Sequence, residues 1–139
     1  MPGRVINLHT SYLPYNRGSS PNFFSFLENT PKGVTIHLMS AGLDEGDILC
    51  QRELHFDEEK ETFASTYEAL LQEIEKLFRE NGQQIREGSI IPVKQAGPVT
   101  YHRMKDLDAI RGKVDFDWNM KIGDFKRAYE KAMRKDENS

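Results

Sequence analysis

Cysteine is almost missing from this chain. A lone Cys50 in 139 residues excludes an internal disulfide, a zinc finger and a Cys-x-x-Cys redox site together, and makes a reducing, cytoplasmic setting the expected one. Long apolar runs are missing too, since none approaches the roughly 18 residues of a membrane span. The first residues, Met1-Pro2-Gly3-Arg4-Val5, carry neither the apolar core of a signal peptide nor the Arg- and Ser-rich pattern of a transit peptide. Positive charge has no surplus: 19 Lys and Arg face 22 Asp and Glu, for a net charge of -3. That removes the general basic field that holds a phosphate backbone, so nucleic acid is not an expected partner, and neither is a membrane. What remains is a globular composition, 37% hydrophobic and 29% charged, at the length of one domain with one core. The expected unit spans residues 1–139, with 135–139 a frayed, disordered tail.

Along the chain, residues 4–9 alternate, with Ile6 and Leu8 on one side and Asn7 and His9 on the other, as in a short strand with one buried face. A loop rich in Ser, Asn, Gly and Pro follows. Ser20-Pro21 then reads as a helix cap with a proline at the first helical position, opening a short aromatic helix through Phe23, Phe24 and Leu27. A second strand is expected where Val34, Ile36 and Leu38 alternate with Thr35, His37 and Met39, a turn over 42–47, and a third strand from Ile48 to Leu54. Thr62 is placed to cap a helix in which Phe63, Tyr67, Leu70, Leu71, Ile74, Leu77 and Phe78 repeat at helical spacing. Gly82 is a candidate end for it, although Ile85 keeps the phase. Residues 88–103 read as irregular chain, and Ile122, Phe125, Tyr129, Ala132 and Met133 as a last amphipathic helix. About three strands and three helices result.

Chemistry concentrates at one place in this layout. Asn7 and His9 leave the same face of the first strand, and Asp44 sits in the glycine-flanked turn after the second, so an amide, an imidazole and a carboxylate can meet at one sheet end. Strand ends and the turns after them are where rigid sheets hold reactive groups. Spacing by itself leaves two readings open: a reactive cluster, or two ordinary strand-end polar residues beside a turn-forming aspartate.

Three ordered segments add to this: Asn7-Leu8-His9-Thr10-Ser11-Tyr12-Leu13-Pro14-Tyr15-Asn16-Arg17-Gly18-Ser19-Ser20-Pro21, then Gly33-Val34-Thr35-Ile36-His37, then Gly42-Leu43-Asp44-Glu45-Gly46-Asp47-Ile48. In that order they resemble the 10-formyltetrahydrofolate-dependent formyltransferase family, densely from Arg4 to about Leu54. The Arg17-Gly18-x-x-Pro21 and Gly42-Leu43-Asp44-x-Gly46-Asp47 wording is similar to methionyl-tRNA formyltransferases and sugar-nucleotide N-formyltransferases. Tyr12 through Phe23 leans toward the sugar branch.

The resemblance implies an α/β fold equivalent to the carboxy-terminal half of a Rossmann-like formyltransferase domain, a short mixed sheet with flanking helices. It implies transfer of a formyl group from 10-formyltetrahydrofolate, as co-substrate, to an amine, with a nucleotide-linked amino sugar as the expected acceptor. Asn7, His9 and Asp44 match the family's catalytic Asn, His and Asp. In that role Asn7 and His9 stabilise the anionic oxygen of a tetrahedral centre, while Asp44 orients His9 and helps a water move protons. No metal is required. Ser40, Ala41, Gly42 and Leu43 match the loop that borders the folate. Arg17 is either a loop anchor, a partner for a substrate phosphate or a surface arginine, and His37 is expected at the periphery. Cys50 reads as a small buried residue rather than a nucleophile.

Two departures stand beside the match. The chain starts where relatives are near the middle of their catalytic domain, and Glu45 occupies a position where they carry a small or hydroxylated residue. The missing amino-terminal half leaves a sheet edge bare, so a homo-oligomer or a separate partner chain is expected. It also leaves two alternatives to the sugar reading: a split chain that only binds or assembles, and a methionyl-tRNA formyltransferase-like enzyme.

Overall fold

The computed structural model describes residues 5–137. The first strand, β1, runs Ile6–His9; Arg4, at the start of the expected strand, lies outside the described residues. After β1 the chain makes the two-residue strand β2, Arg17–Gly18, and the helix α1, Pro21–Leu27. Pro21 sits at the helix start as expected, but Ser20 does not cap it through its side chain. Its backbone is left-handed there, with φ of 53°, not the extended conformation from which a side chain caps a helix.

Strands β3, Lys32–Leu38, and β4, Ile48–Leu54, pair antiparallel, and β1 pairs antiparallel with β3, giving the order β1-β3-β4. The register sets which side chains meet. Asn7 lies opposite His37 and His9 opposite Thr35, so these four side chains share one face of the sheet. Between Ile36 and His37 the β3–β4 pairing slips by a residue, a bulge of the kind that re-aims side chains beside sites.

The other face carries Val34 and Ile36, both fully buried against the long helix α2, Phe63–Glu87. Thr62 caps α2 as expected, accepting from the Ser65 amide while the Ser65 hydroxyl accepts from the Thr62 amide. The helix passes Gly82 without ending and stops at Gly88 in the left-handed conformation. Its buried stripe is Phe63, Thr66, Leu70, Ile74 and Leu77. Tyr67, Leu71 and Phe78, expected inside, are 46%, 43% and 39% exposed. Two adjacent stripes of α2 are apolar, and packing over β3 and β4 covers only one. For the same reason Leu8 on β1, beyond the reach of α2, is 40% exposed.

Beyond α2 the segment expected to be irregular contains the strand β5, Tyr101–His102, paired parallel to β2. It leads into a helix that sequence periodicity did not reveal, α3, Met104–Arg111. The last helix, α4, runs Ile122–Glu137, so the expected fraying does not set in at Lys135; residues 138–139 of that tail lie outside the described residues. A second buried cluster, Phe23, Phe24, Phe26, Phe63, Val114, Ile122 and Phe125, joins α1, α4 and the start of α2. Edge-on ring contacts such as Phe23 with Phe125 at 5.4 Å knit it together. Phe56 packs against both clusters and makes them continuous.

Candidate functional site

The polar face of the sheet is roofed by the loop after β1. Thr35 donates its hydroxyl proton to the Ser11 carbonyl at 2.7 Å and accepts from the Leu13 amide. That roof and the turn after β3 enclose a cluster of four side chains. One carboxylate oxygen, Asp44 Oδ1, lies 3.5 Å from Asn7 Nδ2, 3.6 Å from His9 Nδ1 and 3.6 Å from His37 Nε2. Asn7 Nδ2 is also 3.4 Å from His37 Nε2. The second oxygen, Oδ2, accepts from the Gly18 amide at 2.9 Å. Asn7, His9 and Asp44 therefore converge as the spacing suggests. His37, expected at the periphery, is fully buried at the centre, directly across the strand pair from Asn7.

The two imidazoles are anchored differently. His9 Nε2 lies 2.9 Å from the Asn16 carbonyl; a carbonyl only accepts, so Nε2 holds the proton and Nδ1 presents its lone pair toward Asp44. His9 is thus oriented chiefly by Asn16. His37 gives its Nδ1 proton to the Leu38 carbonyl at 2.9 Å, leaving Nε2 toward Asp44 and Asn7. Burial lowers the His9 pKa, and the Asn16 bond and the Asp44 charge only partly offset it. At His37 burial acts in the same direction, but the Asp44 carboxylate 3.6 Å away and the hydrogen bond to the Leu38 carbonyl outweigh it and hold the pKa above the ordinary histidine value. Asp44 likewise feels burial raising its pKa, yet the adjacent His37 ring, the His9 ring and the bond from the Gly18 amide bring it below the usual carboxylate range. Near neutral pH the cluster thus combines a carboxylate, an uncharged imidazole with a free lone pair, and an imidazole biased toward its charged form.

Arg17 borders this cluster on β2. Its Nε and Nη2 donate to Gln95 Oε1 at 3.2 and 2.9 Å, and Nη1 is 3.9 Å from Glu45, so the anchoring role is the one its contacts express. Ser40, Ala41, Gly42 and Leu43 form the open turn beside Asp44, with Ser40 Oγ donating to the Gly42 carbonyl. Leu43 and Met39 stand more than half exposed there. Cys50 is half-buried against the Val34 and Ile36 cluster, where burial pushes its thiol pKa up. Among the described residues no group of His, Cys, Asp and Glu is placed to hold a metal ion, and no helix is long and apolar enough to cross a membrane. Asn16 and Gln95 are contributors that the sequence reading missed: one acts through its backbone carbonyl, and the other lies in a stretch without periodicity.

A sequence profile of the formyl transferase family matches residues 1–80. The chain belongs to that family. The dTDP-4-amino-4,6-dideoxyglucose formyltransferase of Mycobacterium tuberculosis is 33% identical over 122 residues, which are 88% of this chain and 51% of that protein. Among solved structures, the formyltransferase PseJ from Anoxybacillus kamchatkensis, in complex with UDP-4,6-dideoxy-4-formamido-L-AltNAc and tetrahydrofolate, superposes with a TM-score of 0.80 and 46% identity over 85% of this chain and 62% of that one. The N-formyltransferase from Helicobacter canadensis, complexed with folinic acid and dTDP-3-aminofucose, gives a TM-score of 0.76 at 26% identity over 90% of this chain and 46% of that one. This formyl transferase family member thus spans about half the length of its mycobacterial relative, and its fold is that of part of the larger domain.

Proposed function

We propose that this chain takes part in transferring a formyl group from 10-formyltetrahydrofolate to the primary amine of a nucleotide-linked amino sugar, and that Asn7, His9 and Asp44 are its catalytic residues. The convergence of Asn7, His9 and His37 on one oxygen of Asp44 carries the reading. The similar proteins that hold folates with UDP- or dTDP-linked sugars supply the acceptor class. Attack by the amine forms a new C–N bond at the formyl carbon and puts charge on its oxygen. The Asn7 amide is a donor for that oxygen, inside a site that water reaches poorly. The lone pair on His9 Nδ1 takes the proton that the amine sheds, and the proton passes through solvent held by Asp44 to the folate nitrogen as its bond to the formyl carbon breaks. His37, with its raised pKa, keeps Asp44 ionised and held in place during these transfers. In the turn, Ser40 through Leu43 offer backbone groups to the polar edge of the pterin, and exposed Leu43 offers an apolar surface to its face. Arg17, which borders the cluster, is the cation assigned to an acceptor phosphate.

The test is incubation with 10-formyltetrahydrofolate and UDP- or dTDP-linked 4-amino sugars, followed by mass spectrometry. A formamido product that falls about 10²–10⁴-fold in rate for Asp44→Asn is the expected result; absence of that product with every such sugar overturns the reading. A second reading rests on β1, which among the described residues pairs on one edge only. We propose that this edge is completed by a second copy of the chain or by a separate amino-terminal half, in the cytoplasm.

A further inference from the structure

Gln95 sits in the stretch between α2 and β5, where Val93 and Val99 are largely exposed, yet its side chain is fully committed. A glutamine amide has two N–H donors and a carbonyl with two lone pairs. Here Nε2 donates to the Asp44 and Gly46 carbonyls, each at 2.8 Å, and Oε1 accepts both Nε and Nη2 of Arg17. The next residue after Arg17, Gly18, donates its amide to the Asp44 carboxylate. Asp44, Gln95, Arg17 and Gly18 therefore close a ring in which the aspartate is gripped at its carboxylate from one side and at its backbone from the other.

That grip falls on a turn that needs it. Asp44 has φ of +55°, a left-handed backbone that a residue with a side chain adopts at a cost unless its surroundings impose it. The neighbouring turn residues Ala41, Leu43 and Glu45 are exposed, so little packing holds the turn from outside. Its orientation decides where Oδ1 stands relative to His9, His37 and Asn7, and a displacement on the order of 1 Å is enough to spoil such a constellation. We infer that Gln95 is a positioning residue, fixing the Asp44 turn so that its carboxylate faces the two histidines. The inference rests on Asp44 acting in the proposed site, but its geometry is measurable without catalysis.

The experiment is an NMR pH titration of the His9 and His37 rings and of the Gly18 amide in the wild-type chain and in Gln95→Met, Gln95→Ala and Arg17→Ala. The charged or titrating groups facing His37 are Asp44 and His9, with Arg17 and Glu45 one step farther out. Loosening the turn by removing Gln95 is expected to move the His37 midpoint down by about half a pH unit or more, as it loses its carboxylate partner. The Gly18 amide loses its downfield shift in the same variants. Arg17→Ala leaves the two bonds to the turn in place and removes a nearby positive charge, so the His37 midpoint stays or rises. A Gln95→Met protein with native Val34 and Ile36 amide resonances and an unchanged His37 midpoint overturns the inference. Loss of the fold in both Gln95 variants overturns it as well, because a residue that only positions a turn leaves the β3 core intact. Where formyl transfer is measured, the Gln95 variants lower kcat about 10–100-fold with the KM for the amine within about twofold. Absence of transfer in the wild-type chain refutes the proposed function and leaves the titration result standing.

Discussion

Two histidines face the same carboxylate oxygen, and their pKa values move in opposite directions from the ordinary value of 6.5. His37 binds its proton more tightly folded than unfolded. Its stabilising contribution is therefore whole below that ordinary value and is lost as pH rises through the higher folded one. His9 behaves in reverse: folded, it resists protonation, so stability is lost as pH falls through its range. The two effects oppose each other in the wild-type chain, and single substitutions separate them. Urea midpoints measured across the neutral range should fall with rising pH in His9→Gln and rise with pH in His37→Gln; equal slopes in the two variants would contradict the assigned anchors. Sequence reading found Asn7, His9 and Asp44 because each stands at an element end with a reason to be polar. It undervalued His37, since its importance depends on the cross-strand register with Asn7 and on the bulge beside it, neither of which is written in local spacing.

At the scale of elements, helix α2 shows what periodicity decides and what it leaves undecided. Its cap and its contact with the sheet follow from local chemistry, while its run past Gly82 is left open by a glycine followed by an in-phase Ile85, and the choice between two adjacent apolar stripes is made by the width of the surface beneath. Leu70, 1% exposed, should cost about 2–5 kcal/mol when replaced by Ala, whereas Leu71→Ala, 43% exposed, should cost under about 1 kcal/mol. Chemical denaturation of the pair checks the phase directly. Glycines give a second contrast. A Cβ at Gly82 meets nothing within 4 Å, so Gly82→Ala should stabilise α2 by about 0.5–1 kcal/mol. At Gly18 the backbone has φ of +89° and a Cβ would collide with the His102 carbonyl of β5. Gly18→Ala should therefore destabilise by more than about 1 kcal/mol and shift the Asp44 contact with it; a raised melting temperature would show that the β2–β5 pairing is not what holds this loop. Strand β5 and helix α3 escaped the sequence reading because a two-residue strand has no period to detect, and α3 buries no residue fully.

For the whole molecule, the decisive quantities are the edge of β1 that has no partner strand among the described residues and the exposed apolar side chains near it and along α2, including Leu8, Tyr67 and Leu71. Strand edges of this kind pair with other strands. Light scattering at micromolar concentration should report a dimer, or a monomer that becomes a 1:1 complex when an amino-terminal half is supplied; a monomer that ignores such a partner would remove the assembly proposal. The long-range ties around the site also set an order in time. Asn16, whose carbonyl orients His9, donates its own backbone amide to the Thr100 hydroxyl, 84 residues away, and the glutamine that grips the Asp44 turn lies 51 residues beyond it. Closing such long loops carries an entropy cost that grows with their length and is repaid late. While the chain is being made, then, all four polar side chains of the site leave the ribosome before the stretch through Thr100 that ties their loops down. Synthesis therefore reaches the reactive centre well before the centre can mature.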